Sequence, residues 1–223
     1  EAAEKIKKSK NPIIISGGGV FYSNAMEELS NFAIKHNIPV TQTVMGYSTM
    51  KRDHSHYAGQ IGGLGGKNTN DLAKETDLAI AVGTKLADFT TGSWANFENE
   101  KFKLLSINVS RFDANKHLAQ AVVGDAKVSL IELSKALGDW KVGDEWNEKS
   151  QRELKIWNEH IDKESAPTNQ EVPSYIQVIG AIYRNSEPTD IAVTAAGGLV
   201  GEVVQVWRPK ELNTHESEWG FSC

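Results

Sequence analysis

The possible folds of this chain are limited by its short β-branched runs. These runs end in glycine or polar turn residues and alternate with helical patterns. The run Ile13–Ser16 leads into three glycines, and Asp77–Gly83 is the most regular run of this type. Such runs are typical of parallel strands that are buried on both faces. Further strands are predicted at residues 38–43, 103–108, 121–123 and 190–194.

Helical patterns lie between most of these runs. One helix is predicted to begin near Asn24, with Glu27 three residues later as in a capping box. Thr69 or Asn70 is predicted to cap another. A third is predicted to be capped by Asp125, to end at Gly138 and to bury Val128, Ile131, Leu133 and Leu137. Right-handed strand–helix–strand crossovers then predict an α/β fold with a doubly wound, Rossmann-like parallel sheet.

The composition changes after residue 138, where charged residues and scattered tryptophans replace the apolar runs. We therefore predict a Rossmann-like domain at 1–138 and a linker at 139–170. The linker contains one helix at about 146–163, whose tryptophans pack against a neighbouring domain. Residues 171–223 are predicted to form an incomplete second α/β unit. The stretch 44–67 is predicted to be a long loop.

Composition argues against several classes of partner. The 223 residues include no apolar run near the roughly 20 residues that a membrane span needs. A net charge of −5 argues against a nucleic-acid partner, because no basic stripe is available to displace counterions. The single cysteine, Cys223, cannot form an internal disulfide, which fits a cytoplasmic protein.

Two groups of segments resemble a known family. In the first 138 residues they are Lys10–Val20, Ile38–Thr41, Met45-Gly46, Asp53-His54, Tyr57–Gly59, Asp77–Gly83, Ile107–Val109 and Gly124-Asp125. In this order and spacing they resemble the central domain of thiamine-diphosphate enzymes. Thr194–Leu199 and Glu218–Cys223 resemble, within that superfamily, the hydrolases that open a cyclic dione in inositol catabolism.

The resemblance implies a fragment of a hydrolase that depends on thiamine diphosphate and Mg²⁺ and cleaves a carbon–carbon bond in a small-molecule cyclic dione. The complete protein would be a homo-oligomer, a dimer or tetramer of three-domain subunits. This chain would contain the central domain and the start of the diphosphate-binding domain. It would lack the magnesium motif and any assigned catalytic residue, and would be inactive alone.

The same resemblance nominates cofactor-binding residues. Main-chain atoms of Gly197, Gly198 and Leu199 would contact the diphosphate, and the carbonyl of Ser222 would contact the aminopyrimidine. The chain departs from the family at Val200, where proline is usual, and this substitution makes the turn less rigid.

Two other functions compete with this one. An enzyme similar to acetolactate synthase would bind FAD or ADP in the central domain, with candidate residues Gly17, Gly18, Gly83 and Asn108. Two features count against it: Tyr22 breaks the dinucleotide fingerprint, and Lys85 stands where flavin-binding relatives have arginine. The second alternative is a non-catalytic scaffold or oligomerisation fragment, suggested by the tryptophans after Asp139.

Several residues could have a chemical role, but for most of them a simpler explanation is expected. His54 and His56 form a His-x-His pair, but no further zinc ligand follows from spacing, so a surface loop is expected. Cys223 is interpreted as a free thiol and Glu202 as an exposed helix charge. For Gly62–Gly66 a phosphate cradle and a flexible loop both stay open.

Overall fold

A computed structural model describes residues 1–195, 197–209 and 211–218. Its main sheet has six strands: β1 (Pro12–Ser16), β2 (Val40–Gln42), β3 (Tyr57–Gln60), β4 (Leu78–Val82), β5 (Lys103–Asn108) and β6 (Gln120–Val123). All neighbouring strands are parallel, in the order β3-β2-β1-β4-β5-β6. This is the strand order of a doubly wound Rossmann sheet, so the predicted fold class is confirmed.

The central strands are apolar because both of their faces are covered. Every residue of β1 and of β4 is buried, although successive side chains point to opposite faces. The chain segments that follow these two strands touch backbone to backbone. Gly83 has φ +61°, and a Cβ on it would lie 2.6 Å from the Cα of Gly19. Glycine is therefore required where β1 and β4 end side by side.

In the described part of the chain, ten α-helices accompany the strands. They are α1 (Ala2–Lys7), α2 (Gly18–Tyr22), α3 (Met26–His36), α4 (Lys67–Glu75), α5 (Asp88–Thr91), α6 (Arg111–Ala114), α7 (Ala126–Leu137), α8 (Asp144–Glu164), α9 (Tyr175–Arg184) and α10 (Val200–Val206). One group packs α3 and α1 against α7, and another packs α4 against α8. No helix in the described ranges is long and apolar enough to cross a bilayer.

The long helix α8, predicted at about 146–163, joins two hydrophobic clusters. Its first half contributes Trp146 and Leu154 to the main core, and the indole Nε1 of Trp146 donates to the carbonyl of Pro12 at 2.8 Å. Its second half contributes Ile161 to a smaller cluster. The other buried members of that cluster are Ile179, Val203, Val206 and Trp207.

A second, smaller sheet follows. It pairs β7 (Ala192–Thr194) in parallel with β8 (His215–Ser217), and α9 and α10 pack beside each other. β7 lies within the predicted strand 190–194, whereas β8 has no strand-like sequence and was not predicted. The domain boundaries at 138/139 and 170/171 stay predictions.

Several local predictions are wrong. Asn24 has φ +50° and precedes the cap residue Ala25, so it does not cap α3. Helix α4 starts after Gly66, which places Thr69 and Asn70 inside it. The predicted loop 44–67 contains β3, because Tyr57–Gln60 pairs with β2 at the edge of the sheet.

The buried face of α7 also differs from the prediction. Asp125 does cap the helix, accepting from the N–H of Val128, and Gly138 follows its last residue. However, the side chains of Val128 and Ile131 are 59% and 37% exposed. Leu130 is buried instead, together with Leu133 and Leu137. The helix is thus rotated relative to the predicted apolar stripe.

Candidate functional site

The turn after β7 exposes its backbone at the start of a helix. Gly197 has φ +147°, a conformation that favours glycine, and both Gly197 and Gly198 are exposed. Leu199 is the N-cap residue of α10 and is 43% exposed. A Cβ at Gly197 would meet no atom of the described residues within 4 Å. The backbone of this turn is therefore open to a ligand.

The chemistry of the turn suits an anion. The first N–H groups of a helix have no intrahelical acceptor, and the helix dipole places partial positive charge there. Backbone N–H groups at such a turn can point at a phosphate. The residues predicted to contact the diphosphate thus fit that group in exposure and in backbone polarity. Glu202 lies in the first turn of α10 and is partly buried, not fully exposed as expected.

The turn after β7 and the end of β8 lie at the same edge of the small sheet. The hydroxyl oxygens of Thr194 and Ser217 lie 2.8 Å apart, and the N–H of Glu218 donates to the carbonyl of Thr194 at 2.8 Å. Because the strands are parallel, the chain after β8 leaves from the same edge as the turn after β7. Ser222 and Cys223 lie outside the described residues.

A contact network fixes the second unit on the first. The hydroxyl of Tyr47, which is buried, lies 3.0 Å from the carbonyl oxygen of Val204 in α10. Lys51 pairs with Glu211 of the second unit at 2.7 Å. Within the first unit, the guanidinium of Arg52 donates to the hydroxyl of Tyr57 at 2.9 Å. The contacts between the units set the position of α10, and hence of the turn at its start, relative to the main sheet.

A cavity of about 90 Å³ lies at this junction. Its rim includes the side chains of Phe21, Tyr22 and Met45, which follow β1 and β2. Ser48 comes from the same side, and β8 contributes His215 and Ser217. Ligands of open α/β sheets bind outside the carboxyl ends of the strands, which is where this cavity is.

The sequence did not point to this cavity. Its residues come from segments separated by more than 150 positions, so no local spacing joins them. Only the pairing of the two units brings them together.

The candidate nucleotide-binding residues are engaged within the protein. The N–H of Gly17 donates to Val82, and that of Gly83 donates to Ile107, both at 2.9 Å. The side-chain amide of Asn108 donates to the carbonyl of Thr84 at 3.1 Å. A Cβ on Gly18 would lie 3.0 Å from the carbonyl oxygen of Met45. This packing favours a structural role for these residues over a nucleotide site.

The glycine-rich segment 62–66 is a docked loop. Its N–H groups at 62, 63, 65 and 66 donate to acceptors on Asn70, Phe89, Gly62 and Gln60 respectively. The side-chain amide of Gln205 in α10 donates to the carbonyl of Leu64 at 2.5 Å and accepts from Trp157 Nε1 at 2.8 Å. Because these donors are used internally, the loop is better explained as a contact with α10 than as a phosphate cradle.

His56 is buried, contrary to the expectation of a surface loop. Its Nε2 lies 3.0 Å from the side-chain oxygen of Asn37, and its Nδ1 lies 3.0 Å from the hydroxyl of Ser55. Burial, and secondarily the neighbouring His54, lowers the pKa of His56 to about 4. Among the residues that the structure describes, no three His, Cys, Asp or Glu side chains converge as metal ligands.

The tryptophans that suggested a scaffold pack within the chain. Trp146 is in the main core, Trp140 packs against it, and Trp157 packs against the smaller cluster. They therefore give no specific support to a partner-binding surface.

Comparison with known proteins gives a family. Residues 1–133 match the family model described as thiamine pyrophosphate enzyme, central domain. The chain is 36% identical over 249 aligned positions to a protein of Clostridium tetani named 3D-(3,5/4)-trihydroxycyclohexane-1,2-dione hydrolase. Proteins of the same name from Bacillus anthracis and Bacillus cereus are 34% and 35% identical.

Each of these alignments covers 100% of this chain and 38% of the relative. The chain thus spans well under half the length of the curated relatives that it matches. The family match covers the whole doubly wound sheet described above. This chain belongs to the thiamine pyrophosphate enzyme family, and its first 133 residues are the central domain of that family.

Proposed function

We propose that this chain is part of a thiamine-diphosphate-dependent hydrolase that opens the ring of trihydroxycyclohexane-1,2-dione in inositol degradation. Support comes from the relatives of that name, which are similar over the full length of this chain. The observation that favours the proposal most is the exposed turn Gly197–Leu199 at the start of α10, beside the carboxyl end of β8.

In this proposal the residues of this chain bind and orient the cofactor. Backbone N–H groups of Gly197, Gly198 and Leu199 donate to the diphosphate, aided by the positive end of α10. Tyr47 and Gln205 fix α10 against the main sheet and so keep the turn in place. Bound thiamine diphosphate supplies an electron sink for carbon–carbon bond cleavage.

The remaining functional groups are assigned to the rest of the full-length protein. They include any catalytic acid or base, and the Mg²⁺ ligands, for which no three suitable side chains converge among the described residues. The proposed protein is a cytoplasmic homo-oligomer, a dimer or tetramer, and this chain alone is expected to be inactive. The predicted domain boundaries at 138 and 170 belong to the same proposal.

The test is a substitution in the turn. In the full-length protein, Gly197→Ala forces φ near +147° on a residue with a side chain and moves the N–H groups of the turn. We expect the dissociation constant of thiamine diphosphate, measured by tryptophan fluorescence, to rise at least about tenfold, the equivalent of one lost hydrogen bond to a charged group.

Gly143→Ala is the matched control, because Gly143 has φ −58° and a Cβ there would meet no atom within 4 Å. The control should bind the cofactor like the wild type. Equal cofactor affinity in Gly197→Ala and the wild type would remove the turn from the cofactor site. Absence of thiamine-diphosphate-dependent ring opening in the wild-type protein would refute the proposed reaction.

A further inference from the structure

The cavity at the junction of the two units is lined by both apolar and polar side chains. Aromatic and apolar side chains form its rim, with Tyr22 82% exposed and Met45 53% exposed. Ser48 and His215 are 3% and 5% exposed. Apolar side chains beside a few fixed polar groups are common in small-molecule sites.

One polar atom of the lining is buried without a partner among the described residues, and one lining residue has a strained backbone. The Nε2 atom of His215 is buried and forms no hydrogen bond with the described residues. Ser48, which is also buried, has φ +60°. A buried polar atom without a partner destabilises the folded protein, and a non-glycine residue with positive φ is strained. Such features persist where a ligand uses them.

The charge of the lining indicates the class of ligand. Among the described residues that line the cavity there is no lysine or arginine, and Glu216 is the one with a charged side chain. Burial lowers the pKa of His215 to about 4, so its imidazole is neutral near pH 7. A neutral imidazole offers one donor and one acceptor, which suits hydroxyl groups. The site therefore disfavours phosphates and carboxylates.

The size of the cavity further limits the class of ligand. A single buried water needs about 10–15 Å³. A cavity of about 90 Å³ thus admits a ring-sized group and is too small for a dinucleotide. An aromatic rim can cover the apolar face of such a ring, while the buried polar groups take its hydroxyls.

We propose that Ser48 and His215 bind the hydroxyl groups of a neutral, polyhydroxylated ring in this cavity. The inference rests on the proposed function and adds the residues that recognise the part of the substrate remote from the cleaved bond. It also separates the cyclic dione from anionic keto acids, for which the described lining residues provide no cation.

The experiment compares two histidine variants of the full-length protein with thiamine diphosphate and Mg²⁺ present. His215→Phe retains the edge contact with the Tyr47 ring, whose centroid lies 4.5 Å away, but removes both nitrogens. His160→Phe is the matched control on an exposed residue of α8 that does not line the cavity. KM and kcat for ring opening are measured, together with the midpoint of urea unfolding.

We expect His215→Phe to raise KM about tenfold, the loss of one good hydrogen bond, while kcat changes less. Its unfolding midpoint should not fall, since the substitution removes a buried atom that lacked a partner. The control should keep wild-type KM. Ser48→Ala should also raise KM. An unchanged KM in His215→Phe, or a raised KM with an equal fall in stability, would overturn the inference.

A competition assay tests the ligand class separately. myo-Inositol serves as an unreactive neutral probe and pyruvate as an anionic one. We expect myo-inositol to compete with substrate in the wild type and about tenfold more weakly in His215→Phe. Stronger competition by pyruvate would contradict the inference. If the wild type opens no ring, the proposed function fails, and saturation-transfer NMR with myo-inositol still decides whether the cavity binds a polyol.

Discussion

The phenolic oxygen of Tyr47 lies 3.0 Å from the carbonyl oxygen of Val204 and 2.5 Å from that of Trp207. Tyr47 follows the short helical turn Val44–Gly46, after β2, whereas the two carbonyls belong to the end of α10. The last carbonyls of a helix have no intrahelical donor. One side chain of the first unit therefore satisfies the helix end of the second.

Tyr47→Phe should loosen α10 without unfolding the main sheet. The substitution removes the single O–H donor shared by the two carbonyls, at a cost of about 1–3 kcal/mol. Hydrogen exchange should accelerate at Val203 and Val204, while Ile80 in β4 keeps its protection. Tyr175→Phe is the control, because Tyr175 is 61% exposed. Uniform acceleration in α10 and β4 would show that Tyr47 stabilises the whole chain instead of this junction.

Gly83→Ala should destabilise the chain more than Gly92→Ala. Both glycines have left-handed φ, +61° and +58°, which costs about 1–2 kcal/mol for a residue with a Cβ. At Gly83 the new Cβ would also press on the Gly19 backbone at 2.6 Å, whereas at Gly92 it would meet the flexible Asn96 side chain at 3.3 Å. Overpacking adds about 1–3 kcal/mol, measured as the free energy of unfolding in urea. Equal losses would contradict the close contact.

Stability should fall as the pH decreases from about 6.5 to 4, and His56 should contribute to the slope. Burial lowers its pKa to about 4 in the folded state, whereas an unfolded histidine titrates near about 6.5. In that interval the unfolded chain binds more protons, so the free energy of unfolding rises with pH, by at most about 1.4 kcal/mol per unit for one group.

The comparison that isolates this contribution uses His56→Gln. Its free energy of unfolding should depend less steeply on pH between 4 and 6.5 than that of the wild type. His160→Gln, a change at an exposed position, is the matched control. Parallel slopes in the wild type and His56→Gln would mean that His56 titrates normally in the folded chain.

Gln205→Ala should separate α10 from the glycine-rich loop. The substitution removes the bond to the Leu64 carbonyl and leaves the indole N–H of Trp157 without its acceptor. We expect a loss of about 1–3 kcal/mol and faster exchange of the loop amide protons. Gln170→Ala, at an exposed position, should have little effect. Unchanged loop exchange in Gln205→Ala would show that other contacts position the loop.

The main sheet was predictable because its central strands are buried on both faces. That burial requires the β-branched runs that the sequence displays, and β5 has the predicted bounds Lys103–Asn108. The edge strand β3 lacks such a run, since it contains Gly59 at φ +108° and ends in Gln60. Strand β8 reads His-Glu-Ser, and pairing with β7 determines its conformation.

The candidate site was predictable only in part. The glycine pair at 197 and 198 marks the turn because a strand before it and a helix after it have local signals. No local signal links Tyr47 and Ser48, which are neighbours in the chain, to His215. Their proximity follows from the docking of α10, which depends on side-chain contacts between distant segments.

Helix α8 has a practical consequence for dissecting this protein. A recombinant piece ending at residue 138 would lack Trp146 and Leu154, so water would reach the strands they cover. One beginning at residue 165 would lose Ile161 from the smaller cluster. Neither half can be separated without removing residues from one of the two cores. We therefore expect both cores to unfold in a single cooperative transition on heating.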